Sequence, residues 1–459
     1  MKTNRKTIIE PFRIKVVEPL PQTTRTQRET LLKEAGYNLF LVKAKNVTFD
    51  FLTDSGTTAM SAAQWGAMMV ADEVYAGSTS FERFEKKIQE IMGYKFVLPT
   101  HQGRAAEKLL FTSLLKKGDL VPSNNHFDTT RANIEYQGAE AVDLVIEEGK
   151  DPQLNYPFKG NINLQKLEDF CKQYASHIPC GMITITNNTG GGQPVSMENL
   201  RGASEIYKRY KIPFILDVCR FAENSYFIKE REKGMADKSI REIVKMTFDL
   251  ADGCMMSAKK DAMVNIGGFI ALKNDEWVEK LRSLLILTEG FPTYGGLAAR
   301  DLEAMAVGLE EGMDEDYLSY RVAVSRYMAA GLNKAGIPTL QPAGGHAVYI
   351  DAKAFLPHIP QEQFPGQALV CELYLSEGVR ACEIGSVMFG KKENNKFIPS
   401  KMELVRLAFP RRVYTQSHVD YILEGMGELA ERKNSLKGLK FSYEPAILKH
   451  FTARFEPFS

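Results

Sequence analysis

Short, unbroken apolar runs recur along the chain between about residue 58 and about residue 310. They read KFVLPT (95–100), GMITITN (181–187), IPFILD (212–217) and GCMMSAK (253–259), with a fifth, GGFIALK (267–273), close behind the fourth. Runs of this kind read as buried strands, and the long intervals between the first four leave room for crossover helices. The pattern predicts an α/β domain built on a largely parallel sheet, with the fifth run antiparallel beside its predecessor. The segment 300–336 has a helical pattern weakened at Gly308 and Gly312, and is expected to connect two domains. Beyond it, HAVYIDAK, ALVCELYLSEGV and MELVRLAFP read as strands and a helix of a smaller domain. Near the start, RETLLKEAG reads as a helix, and LTDSGTTAMS leads into the large domain through a helix cap. The expected division is 1–57 (an N-terminal arm and part of the small domain), 58–310 (the large domain) and 311–459 (the small C-terminal domain).

Composition narrows the functional classes. A chain of 459 residues is too long for one core. With 44% hydrophobic and 25% charged residues it has an ordinary globular composition, and a formal net charge of +1 gives no general attraction to nucleic acid or anionic lipid. No apolar run approaches the roughly 18 residues that a membrane span requires. The N-terminal MKTNRKTIIEPFRIK lacks the apolar centre of an export signal. Six scattered cysteines with no CxxC pair suit free thiols in a reducing cytoplasm.

Ligands of open α/β sheets bind beyond the carboxyl ends of the strands, so the residues after each run are the candidates. His101-Gln102-Gly103-Arg104 follows the first run and opens an amphipathic helix, whose N-terminus suits a phosphate. An ordinary strand-to-helix turn is the plain alternative. Asn187-Asn188 precedes a glycine turn, where Asn188 serves either a ligand hydroxyl or the turn itself. Asp217 ends the third run with Arg220 close behind, a structural ion pair or a carboxylate for a protonated ring nitrogen. Ser257, Lys259 and Lys260 end the fourth. Two adjacent lysines at a strand end usually reach solvent. In a low-dielectric pocket, near other cations, such a lysine becomes a nucleophilic amine. Each signal is weak alone. With Phe127 for a ring face, their order describes the needs of one cofactor, pyridoxal phosphate.

These residues sit within motifs that resemble, over almost the full chain, the fold-type-I pyridoxal-phosphate β-eliminating lyases, the family of tryptophan indole-lyases (tryptophanases) and tyrosine phenol-lyases. The motifs are LTDSGT, DEVYAGS, PTHQGR, FDTTR, GGQPVSM, MSAKKD, VNIGGF, YGGLAARD and VRLAFPRRVYT. The resemblance implies an aspartate-aminotransferase-like architecture, with a mainly parallel mixed sheet in a large cofactor-binding domain and a smaller α+β domain. It implies that Lys260 carries the cofactor as a Schiff base, with Lys259 its charged neighbour. Gln102, Gly103, Arg104 and Ser257 would hold the phosphate. Phe127 would stack on the ring, Asn188 and Arg220 would surround the ring oxygen, and Asp217 would pair with the ring nitrogen. Arg406 would grip the substrate carboxylate, with Thr53 and Ser55 of LTDSGT and Ile384 also facing substrate. Tyr75, from a neighbouring subunit, would be the acid that protonates the leaving group. Glu73, Gly56 and Asn265 would form a monovalent-cation site for potassium at a subunit interface, in a homotetramer whose active sites are shared between subunits.

Three positions separate the two branches of this family. Phenol-lyases carry FTTTR where this chain has FDTTR, an arginine in place of Ile384, and phenylalanine in place of His450. Ionised Asp128 is acceptor-only and suits the indole N–H, whereas a phenol that must lose its proton is poorly served by it. His450 by itself reads as a polar residue near a subunit surface; the resemblance makes it a hydrogen-bonding or relay group of the indole pocket. The resemblance therefore implies β-elimination of L-tryptophan to indole, pyruvate and ammonia, with L-tyrosine to phenol as the alternative. Neither nucleic acid nor membrane is expected as a partner.

Overall fold

The computed structural model describes residues 7–394, 396–446 and 448–458. The chain forms two compact units. One comprises Ser55–Gly149 and Tyr156–Ser319; the other gathers the chain up to Asp54, Lys150–Asn155 and the chain from Tyr320 onward.

The larger unit is organised by a five-stranded sheet. Its spatial order is Phe96–Thr100, Gly268–Leu272, Gly253–Ser257, Phe214–Asp217 and Gly181–Thr184. Gly268–Leu272 runs antiparallel to both of its neighbours, and the remaining pairs are parallel, as the spacing of the runs predicts. Side chains alternate along a strand, so each strand feeds two cores. Leu98, Met182, Ile215, Met255 and Ile270 pack on one face. Val97, Ile183, Leu216, Cys254, Met256 and Phe269 pack on the other. Each such burial is worth about 1.5–3 kcal/mol before chain entropy is set against it. That explains why the runs are apolar throughout rather than alternating.

A separate parallel pair, Leu120–Ser123 with Glu140–Asp143, lies near Gly181–Thr184. The buried Asn124 side chain bridges them: its amide donates to the Thr184 carbonyl at 3.0 Å and accepts from the Thr184 N–H at 3.0 Å. Entry into the unit is fixed by Ser61, which caps the helix Ala62–Met68 in a capping box with Gln64. The helical stretch after residue 298 is two helices, Ala299–Glu311 and Glu315–Lys334. Gly308 stays helical, whereas Gly312 ends the first helix. Asp314 starts the second by accepting from the Tyr317 N–H at 2.8 Å.

The other unit holds a three-stranded antiparallel sheet ordered Cys382–Ile384, Leu404–Ala408 and Ala347–Asp351. The helices Arg25–Glu34, Pro365–Glu377 and Gln416–Glu431 belong to it, and Phe49–Asp50 pairs in parallel with Val379–Arg380. The six cysteines are free thiols, five of them buried. Among the described residues no helix is long and apolar enough to cross a membrane.

Candidate active site

Four strands of the larger unit point the same way, so Thr100, Thr184, Asp217 and Ser257 end at one edge of the sheet. The loops that follow them enclose a cavity of about 650 Å³, part of it open to solvent. Gln102, Gly103, Arg104, Phe127, Asn188, Asp217, Arg220, Ser257, Lys259 and Lys260, all named from sequence, line it, as does Ser55.

At one end the helix Gly103–Leu114 begins with no side-chain cap on its free N–H groups. This is the arrangement that binds an anion. The approach is close: a Cβ at Gly103 would lie 2.5 Å from the Ser257 Cβ, so no other residue fits without moving the strand end. Burial, then the charges of Lys260 and Arg104, lower the affinity of Lys259 for its proton. Three cations around one uncapped helix end suit a phosphate dianion. Gln102 is further held by His101, whose other ring nitrogen meets the Glu289 carboxylate.

At the other end, Phe127 and Asp128 stand at the start of the helix Asp128–Tyr136. The preceding residue, His126, is buried and pairs through Nδ1 with Asp143 at 2.8 Å; burial depresses its protonation. Of the two asparagines, Asn187 serves the glycine turn, accepting from the Gly190 N–H at 2.8 Å, while Asn188 lines the cavity. Asp217 is buried and accepts from the Cys219 N–H at 3.3 Å. A carboxylate there suits a cationic ring N–H.

Lys260 is half-buried beside Asp261, which plays an unforeseen part. The Asp261 carboxylate accepts from the N–H groups of Ala222 at 2.8 Å and Glu223 at 3.2 Å, at the start of the helix Phe221–Arg231. Its own N–H donates to the Cys219 carbonyl at 3.3 Å. The lysine loop is thereby tied to the loop that carries Asp217 and Arg220. Glu107 and Cys219 also line the cavity and were not foreseen. The signal for Glu107 was present: it stands four residues after Gly103 and three before Leu110, on the buried face of its helix.

The expected cation residues are only partly together. Asn265 Nδ2 donates to the carbonyls of Gly56 and Thr58, each at 3.0 Å. Glu73 instead accepts from the N–H groups of Ala299 at 2.9 Å and Arg300 at 3.1 Å, at the start of the helix Ala299–Glu311. Tyr75 is 68% exposed, with its ring against Phe291 and Tyr294. Its hydrogen bond to Tyr294 raises its pKa, keeping the phenol protonated.

The remaining candidates lie in the other unit. Arg406 is buried on the strand Leu404–Ala408, opposite Cys382, and its Nη2 donates to the Leu52 carbonyl at 2.9 Å. Ile384 is buried opposite Leu404. Thr53 is half-buried. Burial and then the Arg406 charge push the His450 imidazole down to about 4, so it is neutral near pH 7. Its ring packs against Phe40 and Phe451.

Comparison with known proteins agrees with this arrangement. A family model described as β-eliminating lyase matches residues 50–424. The tryptophanase of Hyphomonas neptunium is 59% identical over 98% of this chain and 99% of its own length. That of Rhodobacter capsulatus is 57% identical, again over 98% and 99%. A tyrosine phenol-lyase of a Symbiobacterium species is 51% identical over 98% and 99%. Among solved structures, Sphingomonas wittichii serine palmitoyltransferase superposes with a TM-score of 0.59 at 12% identity, over 90% of this chain and 97% of that one. A chain of the SepCysS–SepCysE N-terminal domain complex gives 0.57 at 13% identity, over 85% and 96%. The fold is that of the fold-type-I pyridoxal phosphate enzymes. With a family match across most of its length and relatives this similar over nearly all of it, the chain belongs to the β-eliminating lyases, a family of carbon–carbon lyases represented here by tryptophanases and tyrosine phenol-lyases.

Proposed function

We propose that this enzyme cleaves L-tryptophan to indole, pyruvate and ammonia, using pyridoxal phosphate held in the cavity of the larger unit. The supporting observation is that Lys260 and Asp217 line one cavity with an uncapped helix N-terminus and its cations. Those groups match an aldehyde, a protonated ring nitrogen and a phosphate. When bound, the cofactor supplies the electron sink for the pair left at Cα. Gln102, Gly103, Arg104 and Ser257 would hold its phosphate, with Lys259 beside them. Phe127 would cover the ring, Asn188 and Arg220 would meet its oxygen, and Asp217 would pair with its nitrogen.

Lys260 would hold the cofactor and, once freed from it, would take the Cα proton. Arg406 holds the substrate carboxylate as a bidentate fork, aided by Thr53 and Ser55. The bond to be broken joins Cβ to C3 of indole, so C3 must first gain a proton. Tyr75, from a neighbouring copy, delivers it. Asp128 accepts from the indole N–H as that group becomes more acidic, while neutral His450 and apolar Ile384 complete the pocket. The C–C bond then breaks, and the three-carbon remainder takes up water and leaves as pyruvate and ammonia.

Potassium is the cation we assign to Gly56, Asn265 and a Glu73 from another copy, within a cytoplasmic homotetramer. Glu73 meets the start of the helix Ala299–Glu311 instead of Gly56 and Asn265 of its own chain, which supports a site that needs two copies.

The test supplies L-tryptophan or L-tyrosine in parallel to protein with pyridoxal phosphate and potassium. Indole, phenol and pyruvate are then quantified. Indole equal to pyruvate, with little phenol, is the expected result; phenol as main product would overturn the substrate assignment. A sodium control reads the cation, and light scattering on the same sample reads the assembly. Equal turnover with sodium, or an active monomer, would remove those two assignments.

Asp128→Ala is expected to cut indole release on the order of 10²-fold or more, the scale of a lost charge-assisted contact in a transition state. Elimination from S-alkylcysteine, which has a good leaving group, should change far less. Equal losses on both substrates would remove the indole-specific role.

A further inference from the structure

Glu107 is a buried acid for which the mechanism above has no use. It lies on the helix Gly103–Leu114, whose N-terminus faces the phosphate end of the cavity. Its carboxyl reaches across to the helix Asp128–Tyr136, which begins beside Phe127. There Thr130 Oγ1 donates to it at 2.8 Å and Asn133 Nδ2 at 3.3 Å, and Thr129 adds a third hydrogen bond. Thr130 is fully buried and Glu107 nearly so. The same acid lines the cavity together with Asp217 and Lys260.

We propose that Glu107 is a positioning residue: it ties the helix that supports the cofactor phosphate to the helix that carries Phe127 and Asp128, and so sets the tilt of the ring against Asp217. The inference rests on the cofactor assignment above.

Two buried carboxylates that line one cavity cannot both ionise cheaply. Burial and then the charge of Asp217 push the Glu107 carboxyl up to about 7, while the threonine hydrogen bonds and Lys260 oppose the rise. Glu107 serves best as a hydrogen-bonding acid, a role in which a primary amide can replace it.

The experiment titrates pyridoxal phosphate into wild type, Glu107→Gln, Glu107→Leu and Thr130→Val. It reads the dissociation constant, and the visible circular dichroism per bound cofactor, which reports ring tilt. Thermal melts in the far ultraviolet check folding. Glu107→Gln should stay within about twofold of wild type in affinity, with the same dichroism, because the amide keeps both acceptor and donor. Glu107→Leu should bind about tenfold or more weakly, the size of one lost buried hydrogen bond, with altered dichroism. Thr130→Val should move both readings in the same direction.

A folded Glu107→Leu with unchanged affinity and dichroism would overturn the inference, and so would a Gln variant as impaired as the Leu variant. If Glu107→Leu fails to fold, Thr130→Val decides alone, and wild-type readings from it would overturn the inference equally. A wild-type protein that binds no pyridoxal phosphate would instead sink the cofactor assignment, which separates the two failures.

Discussion

Lys260→Ala is expected to lose turnover on the order of 10⁴-fold or more, because one side chain both anchors the cofactor and moves the Cα proton. Two spectroscopic results should accompany the loss. The visible absorbance of lysine-bound cofactor should disappear, and borohydride should no longer fix pyridoxal phosphate to the chain. Both lysines of the pair line the cavity, so the identity of the anchor needs this experiment. Lys259 has the lowered proton affinity, caused by burial and by its cationic neighbours, a state that suits a nucleophile. Covalent trapping that survives Lys260→Ala would transfer the role to Lys259. Lys259→Ala is expected to weaken cofactor affinity while leaving borohydride fixation intact.

Asp217→Asn should give the second large effect, a loss on the order of 10²- to 10³-fold in kcat, the usual scale for removing one preorganised electrostatic contact. The amide keeps the volume at the end of the strand and the neighbouring strand register, Thr184 on one side and Met255 on the other. It cannot hold a ring nitrogen in its protonated form, so the electron sink becomes shallow while binding persists. Cofactor affinity is therefore expected to fall much less than kcat. A variant with near-normal kcat would show that the ring nitrogen needs no carboxylate, and would remove the central role assigned to Asp217.

Much of the lining of the cavity was legible because it lies where the strands end. A strand buried on both faces has to be apolar over its whole length, so each run marks its own carboxyl end, and a polar group placed there stands out. Asp217, Asn188, Ser257 and Lys260 were found in this way. Which asparagine serves the turn required the structure, because two are adjacent and only geometry gives the Gly190 N–H to Asn187. Glu107 was legible in principle as an acid on the buried face of an amphipathic helix. Its partners were not, because Thr130 and Asn133 belong to a helix whose approach is set by packing.

By itself, then, the chain determined its local chemistry and its order. Periodicity marked strands and helices, serine and threonine marked helix starts such as Ser61, and the succession of strand ends marked residues that line one cavity. Tertiary structure alone decided which distant groups share a dielectric environment. Asp261 joins the lysine loop to the start of the helix Phe221–Arg231, and Glu107 shares its cavity with Asp217. Glu73 spends its carboxylate on the helix Ala299–Glu311. The physical reason is common to all three. Helix and strand signals arise from neighbours along the chain, whereas desolvation and hydrogen bonding between remote segments depend on distances that only the packed cores fix.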